Sequence, residues 1–176
     1  MELPPLAGAD HECEACALRY RDITPALAVA MIREAPAAYR AAFAGVPDAV
    51  VRRRPDPATW SMVEYLCHVR DVAVVFVERI ELARAEDHPT FPPLGNDDRA
   101  MRLHYIDADV ATTLDELADG AMRLAELIES LGDDDWARTA SRRPGEERDV
   151  RWMVRQAAHE CRHHLADIER VQRAAG

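Results

Sequence analysis

The chain contains no lysine; all 22 of its basic residues are arginine. Schiff-base chemistry, a phosphate-loop lysine and a lysine general base are therefore excluded. The basic residues are outnumbered by 32 acidic ones, giving a net charge of −10. That balance speaks against a nucleic-acid partner, whose affinity comes mostly from neutralising phosphates with basic side chains. Glycine is scarce, at seven residues in 176, and period-two alternation is absent, which argues against a sheet-rich fold. Long apolar runs are also missing. The longest, Ala26 to Ile32, has seven residues, against about 20 for a membrane span. The opening Met1-Glu2-Leu3-Pro4-Pro5 has neither a basic nor an apolar leader segment, so no secretory signal and a cytoplasmic location are expected. Cys13, Cys16, Cys67 and Cys161 are too few for a disulfide framework and point to thiols or metal ligands. No serine or cysteine stands with an evident base of its own, which argues against a metal-free hydrolase.

What is present is helical periodicity. Thr24-Pro25 supplies an N-cap and a first-turn proline for a helix reaching about Phe43, with Pro36 expected to kink or split it. A second helix follows Pro57, with Ser61 and Glu64 in capping-box spacing, and reaches about Ala85. The third spans about Asp109 to Leu131, ended by Gly132, and the fourth about Asp149 to Arg170. Between the second and third lies His88 to Asp107, a proline-containing connection too long for a simple turn. These elements predict an all-α protein, a four-helix bundle with a long crossover between helices two and three. Residues 1–20 form a separate N-terminal arm, and residues 21–176 form the bundle domain.

His159 and His163 are one helical turn apart and able to share a metal ion. With Glu160 they complete the zinc-protease pattern H-E-x-x-H. The protease reading fails on its own requirements. The position six residues after His163 is Glu169, only 13 residues remain, and no sheet edge is in prospect to align a peptide. At 100° per residue, Val154, Ala158, Cys161, Leu165 and Ile168 form an apolar stripe. His159 and His163 lie nearly opposite, with Trp152, Arg155 and Arg170. Two readings stay open: a solvated outer face, or a metal site in an interhelical groove walled by Trp152. His68, at the edge of the second helix's apolar stripe, is placed to supply a third imidazole. Three imidazoles leave a coordination position open, as catalytic sites do.

Two strings carry a family resemblance. Trp60-Ser61-Met62-Val63-Glu64-Tyr65-Leu66-Cys67-His68-Val69-Arg70-Asp71 resembles the helix-two signature of DinB-like proteins, and His159-Glu160-Cys161-Arg162-His163-His164-Leu165-Ala166-Asp167-Ile168 their helix-four signature. The resemblance spans about residues 25–172. It implies the family's bundle and crossover, and a metal triad on His68, His159 and His163 holding zinc, nickel or a similar divalent ion. It also implies a homodimer and an activity as a transferase or isomerase dependent on a low-molecular-weight thiol. The lysine-free, alanine- and arginine-rich composition fits an actinobacterial source, for which the thiol would be mycothiol. Glu64 and Asp167, one turn from the expected ligands, are candidates to fix imidazole tautomers, or else ordinary surface charge. Arg155 and Arg170 are candidates to anchor a substrate carboxylate or carboxamide. His164 reads as a bystander or tautomer-fixing donor, and His88 and His104 as surface residues.

The arm carries His11, Cys13 and Cys16 as H-x-C-x-x-C, which departs from the simplest form of the family. Two thiols at this spacing make half of a zinc site; a redox pair or two plain thiols are the alternatives. The function expected is thiol transfer or isomerisation of a small electrophile at the metal. A non-catalytic metal-binding or stress-associated protein is the alternative.

Overall fold

The computed structural model describes residues 5–175. Its helices are α1 (Pro25–Phe43), α2 (Asp48–Val51), α3 (Met62–Ala85), α4 (Asn96–Arg102), α5 (Val110–Glu129) and α6 (Val150–Ala175). A small antiparallel hairpin, β1 (Thr139–Ser141) paired with β2 (Glu147–Asp149), leads into α6.

The four long helices begin and end close to where their capping residues predict. The Thr24 hydroxyl accepts from the Leu27 amide, Asp109 accepts from the Thr112 amide at 2.8 Å, and Glu64 reaches back to the Ser61 amide at 2.9 Å. Each contact satisfies an amide that the first helical turn leaves unpaired. Pro36 does not split α1. Ile32, Ala35, Tyr39 and Phe43 are buried on one face across it, and that packing outweighs the single lost backbone hydrogen bond.

α1 packs on α5 and α6, and α3 packs on the same two, so α1 and α3 occupy one diagonal of the bundle and α5 and α6 the other. The core between them is built from Ile32, Leu66, Ile80, Leu117, Leu124, Met153 and Ile168. Gly120 lets α5 approach α3 closely, since a Cβ there would stand 3.2 Å from that of Ala73. Cys161 lies in the core, as its stripe predicts, and its carbonyl accepts from the Tyr39 hydroxyl at 3.0 Å.

The hairpin was not expected from the sequence. Its strands have three residues each, too short for alternation to register. The crossover adds an edge to it, with the Phe91 amide donating to the Ser141 carbonyl and the Ser141 amide to that of Pro89, both at 2.9 Å. The crossover then folds back onto α3. Asp71, 5% exposed, accepts from Tyr105 and Arg99 on the crossover and from Arg70 beside it. Burial disfavours its ionised form, but those hydrogen bonds and the Arg70 charge outweigh burial and hold its pKa below the ordinary carboxylate value.

Asp71→Asn should therefore destabilise the fold by roughly 3 kcal/mol at pH 7, because it leaves the half-buried Arg70 and Arg99 short of a charged partner. The depressed folded pKa sets the sign of the pH dependence. The charge-dependent part of the stabilisation is complete above the unfolded value, about 3.9, and is lost as pH falls through the folded one. Chemical denaturation of wild type and variant at pH 7 and pH 3 should show the gap narrowing in acid; a gap that stays constant contradicts the account.

Candidate metal centre

α6 carries two pairs of potential ligands offset by one residue, His159 with His163 and Glu160 with His164. One residue turns a helix by about 100°, so the pairs look out of different faces. Glu160 and His164 meet His68 of α3. His159 and His163 meet the N-terminal arm.

His68 is placed by the start of α3: with Ser61 as cap, it falls two turns in and is 2% exposed. Its Nε2 lies 3.0 Å from Glu160 Oε2, and His164 Nε2 lies 3.0 Å from the same oxygen. The His68 and His164 rings meet edge to face at 4.7 Å, with Trp60 against His68 at 5.3 Å and Tyr65 against His164 at 5.3 Å. Gln156 donates to the other Glu160 oxygen, and Asp167 accepts from His164 Nδ1 at 2.8 Å. Burial disfavours a charged Glu160, but its hydrogen bonds to His164 and His68 outweigh that and hold its pKa well below the usual carboxylate range. Burial likewise opposes charge on His164, yet Asp167 and Glu160 together raise its pKa to about 9. Burial lowers the pKa of His68 despite its contact with Glu160. The three side chains thus start as a carboxylate, an imidazolium and a neutral imidazole.

The second group gathers Cys13, Cys16, His159 and His163, whose donor atoms all lie within 4.8 Å of one another. The arm reaches α6 through backbone contacts: Arg148 and Trp152 donate to the Ala7 carbonyl at 3.0 and 3.1 Å, and Glu146 accepts from the Leu6 amide at 3.1 Å. Tyr20 is fully buried; its hydroxyl meets Gln156 and His159 Nδ1, the latter at 3.2 Å. Burial lowers the His159 pKa to about 4.

Among the described residues, His68, His159 and His163 do not form one ligand group; they are divided between these two. The outer-face reading of His159 is also corrected, since the arm covers it and leaves it 7% exposed. Trp152 is buried and holds the arm by its indole N–H instead of walling a groove. His11 packs its ring against Tyr20 at 5.2 Å and His159 at 5.6 Å, beside the cysteine group without entering it. Glu64 faces Arg54 and Ser61 and touches no imidazole. Asp167 does contact His164, and its carboxylate also stands 3.4 Å from His163 Nε2. Arg155 donates to the Ile23 carbonyl and Arg170 pairs with Asp167. His88 is exposed beside Thr139, and His104 is exposed on the crossover. Glu160 and Tyr20 were not singled out from the sequence as site residues, and His164 was read only as a bystander or tautomer-fixing donor. The i,i+4 pair Glu160 and His164 lay inside the same string, hidden by the more familiar His-x-x-x-His. A cavity of about 540 Å³ between α3 and α5, lined by Arg70, Val74, Glu116 and Arg123 among others, contains no member of either group.

Residues 31–168 match the family model of the DinB superfamily. The chain belongs to the DinB superfamily. Two solved structures share the DinB bundle. YfiT from Bacillus subtilis, described as a probable metal-dependent hydrolase with an unusual four-helix bundle topology, superposes with a TM-score of 0.78 at 18% identity. The match covers 86% of this chain and 89% of that one. A mycothiol-dependent maleylpyruvate isomerase superposes with a TM-score of 0.66 at 14% identity, over 85% of this chain and 62% of that one. At such identities the likeness is one of fold. No curated protein matches the chain. The DinB match begins at Met31, so Cys13 and Cys16 lie outside it.

Glu64→Ala separates helix capping from any role at an imidazole. It should lower stability by about 1–2 kcal/mol through loss of the α3 cap, with the metal content of the purified protein unchanged. A loss of metal on this substitution would return Glu64 to the site.

Proposed function

We propose that this DinB superfamily protein is a metal-dependent transferase or isomerase that uses a low-molecular-weight thiol, of the mycothiol type, on a small electrophile. The divalent ion, zinc or nickel, is held by His68, Glu160 and His164. The observation that carries this reading is the aim of two imidazoles, from different helices, at one carboxylate oxygen, each at 3.0 Å. Once the proton that His164 holds against Glu160 is displaced, two neutral imidazoles and a carboxylate suit a borderline divalent cation and leave coordination positions for substrate.

When bound, the ion supplies a Lewis acid that lowers the pKa of a thiol in its shell and makes thiolate available at neutral pH. The chain's own residues prepare the place. Asp167 takes the Nδ1–H of His164 and so leaves Nε2 as the free donor. Gln156 holds the outer oxygen of Glu160 and keeps the inner one facing His68 and His164. Trp60 and Tyr65 close the flank with ring surface and exclude water. His68 is buried and neutral, and its Nε2–H faces the inner oxygen of Glu160; on metal binding that proton gives up its place and moves to Nδ1. The mycothiol dependence of one fold relative and the lysine-free composition support the choice of thiol. A cytoplasmic homodimer belongs to the same proposal, with exposed Val74 and Met122 supplying apolar surface for the contact. One observation favours the alternative of a non-catalytic metal-binding or stress-associated protein: the 540 Å³ cavity between α3 and α5 lies apart from the ligands.

The test compares untagged wild type with His68→Ala and Glu160→Gln for metal content and for mycothiol-dependent consumption of a chlorodinitrobenzene. Each variant should lose metal from this site and fall about 100-fold or more in kcat/KM. Turnover that survives in both variants sinks the metal mechanism. Bound metal without thiol-dependent turnover in wild type supports the non-catalytic alternative.

A further inference from the structure

We infer that Cys13, Cys16, His159 and His163 form a structural zinc site that clasps the N-terminal arm onto α6, separate from the His68 group. Two thiolates and two imidazoles are the donor set of closed, four-coordinate zinc. Bonds of about 2.3 Å to sulfur and 2.0 Å to nitrogen give a tetrahedron with edges of about 3.3–3.8 Å. Here all four donors lie within 4.8 Å of one another, and Cys13 Sγ and His163 Nδ1 are already 3.3 Å apart.

The surroundings of each ligand fit the same conclusion. Tyr20 donates to Gln156 and accepts from His159 Nδ1, which leaves His159 with Nε2 as its lone-pair atom. That Nε2 is buried and has no hydrogen-bond partner, a state that buried nitrogens rarely hold without a ligand. On His163 the roles reverse: Asp167 stands at Nε2 and Nδ1 faces Cys13. Both imidazoles therefore have the outer partner that metal-bound histidines use to fix their tautomer.

The thiols are held in a tight loop. The Cys13 amide donates to the Leu18 carbonyl at 2.8 Å, and Ala17 takes a left-handed φ of 57°. That turn aims the Leu18 amide at the Cys16 sulfur. Ion binding releases both thiol protons to solvent, and the two thiolates cancel the ion's charge. The finished site is neutral, so it can sit one residue away from the Glu160 and His164 pair without repelling a cation there. A Cys13–Cys16 disulfide is the competing use of these thiols, and it leaves His159 Nε2 unpartnered.

The test uses full-length reduced protein, stripped of metal and titrated with cobalt(II). The expected result is one equivalent showing thiolate-to-cobalt charge transfer and the intense visible bands of tetrahedral cobalt. Both should be absent in Cys13→Ser/Cys16→Ser and retained in His68→Ala. Retention in His68→Ala separates this site from the proposed catalytic one, since either can fail alone. X-ray absorption of the zinc-loaded wild type needs no variant and should show two sulfur and two nitrogen neighbours. Zinc should also slow tryptic cleavage after Arg19 and Arg21 by about tenfold. A zinc shell without sulfur, cobalt charge transfer that survives the cysteine substitutions, or a Cys13–Cys16 disulfide in anaerobically isolated protein would each overturn the inference.

Discussion

A carboxylate shut between helices needs positive partners, and the centre of this protein is arranged around supplying them to Glu160. His164 provides a full charge, His68 a hydrogen bond from the opposite helix, and Gln156 holds the remaining oxygen. These contacts fix the rotation of α6 about its axis. Once Glu160 and His164 face α3, the residues one position earlier must face away from it, toward whatever covers the adjoining side of the helix. The arm covers it. The docking of the described part of the N-terminal arm, residues 5–20, and the pairing of a buried carboxylate are thus two results of one helix orientation.

Much of the frame was legible in the sequence because it rests on local chemistry. Thr24, Ser61 and Asp109 each satisfy an amide within a few residues, and the helices start where those side chains predict. The membership of residues 31–168 in the DinB superfamily rests on strings that the sequence displays directly. The partner sets were not legible. A helical wheel gives the angle between His159 and Glu160 but says nothing of what stands across from either. Cys13 and His163 are 150 residues apart in the chain, and only the folded arm makes them neighbours. Glu64 shows the opposite error. Its spacing to His68 suggested a tautomer-fixing role, whereas the nearer Ser61 and Arg54 take both of its oxygens.

The arm also separates what this protein has in common with its relatives from what it adds. The bundle, the crossover and the diagonal helix arrangement lie within the DinB match, while the loop from His11 to Tyr20 precedes it. The residues just ahead of it, Leu6 and Ala7, attach through backbone hydrogen bonds to the hairpin and the first turn of α6, and the loop itself attaches through Tyr20 at the level of His159. An element anchored in this way tightens the surroundings of α6 without altering the packing of the four helices beneath it.

The diagonal placement of α1 and α3 bears on how the molecule is made. Neighbouring helices in a chain commonly fold as hairpins, each covering the other's apolar face as it forms. Here α1 has no such neighbour, because its packing partners are α5 and α6. During synthesis the segment from Pro25 to Phe43 leaves the ribosome first among the long helices and waits longest for its cover, which α5 and α6 supply. Until then Ile32, Tyr39 and Phe43 are exposed to solvent on the nascent chain. The helix that comes first in the sequence is therefore the one most in need of shelter from misassociation while the rest is translated.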